Sequence, residues 1–94
     1  MIIAKVIGNI WATRKEKTLV GCKLMIVQPV EVSGEPVGKS FVAVDSVDAG
    51  IGEMVLVATG SSARKAIGHE ESPIDASIVA IIDIHEVQRS GAKS

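Results

Sequence analysis

The alternation of side chains over the first ten residues constrains this chain more than any other feature. Ile2, Ala4, Val6, Gly8 and Ile10 fall on one side of an extended backbone, and all five are apolar. Ile3, Lys5, Ile7, Asn9 and Trp11 fall on the other side and are mixed in character. A period of two, rich in β-branched residues and without a helix cap, predicts a strand over residues 1–12 with the uniform set facing the core. Gly8 inside that strand predicts a bend or bulge of the kind that turns the corner of a small barrel.

Shorter runs repeat the pattern. Residues 23–30 read as a second strand, which Pro29 ends or pushes to an edge because proline has no N–H for a ladder. A third covers 40–47, with Phe41, Ala43, Asp45 and Val47 alternating against Val42 and Val44. Gly50 and Gly52 make a tight turn before a fourth strand over 54–58. The last lies within 75–87, where Ile78, Ala80, Ile82 and Ile84 alternate with Val79, Ile81, Asp83 and His85. Residues 13–18 read as a charged hairpin loop or as an edge that touches a partner, 31–39 carry Ser33, Gly34 and Pro36 and read as a turn, and 68–73 read as a polar loop. Residues 61–67 predict one or two helical turns with Ser61 as N-cap. Five short strands with one helical insert predict an all-β fold, a small barrel or sandwich formed by residues 1–87, with a closed barrel favoured, followed by a polar tail over 88–94. Closure removes the exposed edges that so aliphatic a sheet cannot safely leave open.

Composition then bears on partners. A 94-residue chain buries only roughly 60–65% of the surface its unfolded form exposes, yet 47% of these residues are hydrophobic and 22% charged. Either the core is unusually full or apolar side chains face a partner subunit, and the excess of aliphatic surface favours a homo-oligomer. The net charge of −1 supplies no cationic surplus for a nucleic-acid backbone. Trp11 and Phe41 are the only aromatic residues, too few for a base-stacking barrel. No apolar run reaches membrane-spanning length, and the N-terminus does not read as a signal peptide. One cysteine, Cys22, rules out an intrachain disulfide and fits a reducing cytoplasm, where it reads as a small core residue.

The chemistry-bearing residues do not assemble a reaction. His69 with Glu70 and Glu71 lacks a second histidine and reads as a solvated loop; Asp83 and His85 share a strand face without further ligands and read as a surface pair. Ser61 and Ser62 lack the glycine spacing of a nucleophile elbow, and no phosphate-loop lysine follows Gly60. The run Gly60, Ser61, Ser62, Ala63, Arg64 offers small residues, hydroxyls and one cation. It suits either a place where several chains converge or a small-anion or nucleotide-binding site at the start of the helical turn.

Several ordered runs together resemble a known family: Ala4-Lys5-Val6 with Gly8, the stretch from Lys23 to Gln28, Ala43-Val44-Asp45 with Val47, and Ala49-Gly50 with Gly52-Glu53 and Val55-Leu56-Val57. Gly60-Ser61-Ser62-Ala63-Arg64 and Pro73-Ile74-Asp75-Ala76 complete the set. In these the chain resembles the vertex proteins of bacterial microcompartments, of the ethanolamine-utilisation and carboxysome (EutN/CcmL) type, over nearly its whole length. Asp48 departs from it, standing where a glycine is common, and residues 14–17 are more charged than in some members. The resemblance implies a five-stranded barrel similar to the oligonucleotide-binding type, assembled as a homopentamer that caps the corners of a cytoplasmic polyhedral shell tiled elsewhere by hexameric shell proteins. It implies a structural protein, with neither catalysis nor a cofactor. In such a ring Gly60, Ser61, Ser62, Ala63 and Arg64 are expected near the fivefold axis or subunit interface, and Arg14, Lys15 and Lys17 at the rim facing hexamers.

Overall fold

The structure, a computed structural model, describes residues 1–11, 17, 21–67 and 75–83. Five strands, β1 (Ile2–Ile10), β2 (Lys23–Pro29), β3 (Phe41–Asp45), β4 (Met54–Thr59) and β5 (Ala76–Ile81), and one helix, α1 (Ser61–Ile67), follow one another with α1 between β4 and β5. The strands close into a barrel in the order β1-β2-β3-β5-β4. Every neighbouring pair is antiparallel except β3 with β5, which run parallel and meet only at Val44 with Ser77 and Asp45 with Ile78. This is the all-β barrel with a single helical insert that the alternation predicts, in the strand order of the oligonucleotide-binding type.

Parity decides what fills the barrel. Ala4 and Val6 of β1 are fully buried while Lys5 is exposed, as the predicted core face requires. That face does not run the length of the strand: Gly8 and Ile10 pair with Ile26 and Leu24, which lie outside the core cluster. Ala4 and Val6 pack with Met25, Val27, Ala43, Val55, Val57 and Ile78 in one apolar cluster. Each valine or isoleucine withdrawn from water in this way contributes about 1.5–3 kcal/mol. The bend expected at Gly8 is a register shift: Val6 faces Val27 but Gly8 faces Ile26, so Ile7 is an extra residue on β1.

A second, smaller buried layer lies outside the barrel. Val44, Ala58 and Ser77 alternate with the core residues Ala43, Val57 and Ile78 and therefore face outward, yet each is at most 2% exposed. The helix α1 packs on β4 and β5, and its Ala63 is fully buried. Small side chains on both sides let the helix approach the sheet closely.

Some boundaries differ from the sequence reading. β2 runs to Pro29, which pairs with Ala4; beyond it Val30 forms an isolated bridge with Pro36, and its N–H still donates to the Ile3 carbonyl of β1 at 3.0 Å. β3 is shorter than residues 40–47 because the Asp45 side chain takes over the backbone N–H groups that follow it. Ser61 is the first residue of α1 and not its cap: Gly60 holds the capping position, and its carbonyl accepts the Ala63 N–H at 3.1 Å. β5 ends at Ile81, short of the predicted strand: Ile82 and Asp83 follow it outside any strand, although the Ile82 N–H still donates to the Met54 carbonyl at 2.9 Å. Residues 84–87 of the predicted last strand with His85, the charged loop except Lys17, the loop with His69, and the polar tail over 88–94 lie outside the described residues.

Candidate assembly surface

The small-residue run does not form an open loop; it starts a helix. Gly60 has φ +66°, the left-handed region that suits glycine, and a Cβ there would meet no atom within 4 Å. Its N–H donates to the Asp75 carbonyl at 2.9 Å, which fastens the start of α1 to the entry of β5. Ser61 and Ser62 are exposed on the first turn, Ala63 points into the sheet, and Lys65 and Ala66 are exposed beyond. The structure thus brings Gly60, Ser61, Ser62 and Ala63 together as one short turned segment; the Arg64 side chain is outside the description. Lys17 is exposed, and Arg14 and Lys15 lie outside the described residues.

A charged cluster that sequence reasoning did not isolate shapes the neighbouring loop. The side chain of Asp45 is fully buried, and its two oxygens accept the N–H groups of Val47 at 2.9 Å and Ala49 at 2.7 Å. Lys23 Nζ stands 3.5 Å from the same carboxylate and donates to Asp48 Oδ1 at 2.7 Å. Asp48 has φ +63°. That explains the departure noted in the sequence, since glycine suits a left-handed residue, and aspartate is among the few others that tolerate it. The hydrogen bond with Asp48 raises the Lys23 pKa above its ordinary value, and the same bond lowers that of Asp48. The signal was an aspartate closing a strand before a tight loop, a common site for side-chain to backbone bonding.

The outer wall carries more apolar surface than a solitary barrel needs. Among the described residues, Trp11 is 93% exposed, Ile51 62%, Ile7 48% and Ile81 44%. The Gly52 N–H donates to the Val6 carbonyl at 2.8 Å, which holds the turn before β4 against β1, and the exposed Ile51 and Ile7 are the chain neighbours of these two residues. A groove of about 160 Å³ runs past Asn9, Ile10, Trp11, Cys22 and Leu24. No three of His, Cys, Asp and Glu converge to hold a metal among the described residues. No helix among them is long and apolar enough to cross a membrane.

A closed aliphatic barrel that leaves this much apolar surface on its wall is a subunit built for assembly. The family model described as "Ethanolamine utilisation protein EutN/carboxysome" matches residues 1–83. The carboxysome shell vertex protein CcmL of Synechocystis sp. is 47% identical over 83 residues, covering 88% of this chain and 83% of that protein. The solved structure of CcmL from Nostoc sp. PCC 7120 superposes with a TM-score of 0.83 at 48% identity, over 90% of this chain and 93% of the other. The GrpN pentameric microcompartment shell protein from Rhodospirillum rubrum gives a TM-score of 0.80 at 43% identity, over 88% and 94%. The chain belongs to the EutN/CcmL family.

Proposed function

We propose that this protein is a structural component of a cytoplasmic bacterial microcompartment, five copies of which close into a ring that caps a vertex of the polyhedral shell. The observation that carries the reading is the likeness of the whole barrel to a pentameric shell protein, at a TM-score of 0.80 over 88% of the chain. Its relatives are named as shell vertex proteins, and that favours a structural role over both an enzyme and a small-anion or nucleotide-binding module. The mechanism is shape. A sheet of hexagonal tiles is flat, and replacing one hexagon by a pentagon introduces the curvature that lets it close.

Apolar contacts between unlike faces of neighbouring copies hold the ring, as a head-to-tail interface requires. The exposed Ile7, Ile51 and Ile81 supply surface of the right kind. Gly60, Ser61 and Ser62 face the fivefold axis, where five copies crowd and bulk is excluded, Ala63 anchors the turn to its own sheet, and the run through Arg64 lies at the subunit interface. Arg14, Lys15 and Lys17 lie at the rim against hexameric tiles. Co-expression with hexameric shell proteins tests the role: closed particles are expected with this chain, and open sheets or tubes without it. Particles that close equally well in its absence would remove the vertex function.

A further inference from the structure

We infer that α1 is a hinged flap, seated on the outer wall of the barrel and able to lift from it while the barrel stays folded. Three independent features converge on this helix. Among the described side chains buried in the seam, Ala58, Ala63 and Ser77 are small and withdraw little apolar area from water, with Val44 the one larger side chain beside them. The barrel interior, by contrast, is filled by Val6, Val27, Val55, Val57 and Ile78. Opening free energies follow the apolar contact each element makes, so the seam opens before the barrel does.

The second feature is Ser77. Its hydroxyl is wholly buried, on the outward face of β5 between Ala58 and Val44, and finds no hydrogen-bond partner among the described residues. An unpaired hydroxyl in an apolar seam opposes closure, because water satisfies it only when the seam opens. The third feature is the attachment of the helix. Gly60 turns in the left-handed region with open space around its Cβ position, and its N–H is held by the Asp75 carbonyl. That gives a pivot at the N-terminal end of a helix only seven residues long, too short to persist away from the sheet. Lifting is therefore also unwinding, and it carries Ser61 and Ser62 with it. In a ring these residues change the lining of the central opening; that consequence rests on the vertex reading, whereas the flap does not.

Hydrogen exchange on the native assembly tests it, with the assembly mass recorded on the same samples. Ser77→Ala removes the unpaired hydroxyl, so exchange within α1 slows about tenfold or more while the amides of β1 and β2 keep their wild-type rates. Gly60→Ala strains the left-handed pivot of the closed form and speeds exchange in α1 with the same barrel rates. Unchanged or faster exchange in α1 of Ser77→Ala, unchanged exchange in α1 of Gly60→Ala, or a change spread equally over β1 and β2 overturns the flap. Rings of five with an unresponsive α1 sink the flap alone, and a responsive α1 in a chain that forms no ring sinks the vertex reading alone.

Discussion

Asp45 and Ala49 are joined by a 2.7 Å hydrogen bond from the Ala49 N–H to Asp45 Oδ2, and this bond folds the chain back at the end of β3. The other oxygen takes the Val47 N–H at 2.9 Å, so one buried carboxylate satisfies two backbone donors that have left the sheet. Replacement by alanine strands both donors and leaves Lys23 with Asp48 alone. Asp45→Ala is expected to lower stability by about 2–4 kcal/mol, read from denaturant unfolding. A loss below half a kcal/mol would mean that the loop is held by other contacts.

The Lys23–Asp48 pair makes a smaller and pH-dependent contribution. Asp48 titrates below its ordinary 3.8 because Lys23 bonds its ionised form, so the stability it adds is present above that value and fades as pH falls through its folded pKa. Lys23 titrates above 10.5 because Asp48 bonds its ammonium, so its contribution is complete below 10.5 and fades as pH rises through its folded pKa. Between those limits wild type should melt slightly above Lys23→Ala, with the gap shrinking at either extreme and in high salt, since both groups face solvent. A gap that does not vary with pH would assign the difference to packing.

Ile78 is the bulkiest of the fully buried side chains and sits where β5 closes the barrel against β3 and β4. Ile78→Val is expected to cost about 0.5–1.5 kcal/mol and Ile78→Ala about 2–5 kcal/mol. The measurement is a pair of denaturant melts with unchanged slopes. Equal costs would show that the site collapses around the smaller side chains.

Ser62 is exposed on the first turn of α1, so Ser62→Trp should leave the stability of the protomer within about 0.5 kcal/mol of wild type. If the segment faces the fivefold axis, five added indoles crowd one another and the ring population falls in native mass spectra. An unchanged ring would place the segment elsewhere on the subunit.

Much of the fold was legible because strand parity is a hard geometric constraint. One apolar face on residues 2–10 was enough to assign Ala4 and Val6 to the core, and Gly8 marked the register shift. The outer layer was not legible. Ala58 and Ser77 have the parity of solvent-facing positions, and only the helix packed on β4 and β5 reveals that they are buried; Val44 of β3 is buried beside Ser77 with the same outward parity. Asp45 was hidden for a related reason: its buried position depends on backbone donors two and four residues away, which strand alternation does not register. At the candidate site the small residues were picked out by size, but their helical form and the capping position of Gly60 followed from the Ala63 bond, which no spacing rule announces.

The mass of the native assembly tests the central claim most directly. A ring of five requires a particle of about 49 kDa, five times the 9.8 kDa chain, persisting on dilution to working concentration. A stable particle of one chain's mass, or one built on any number other than five, would contradict the vertex role.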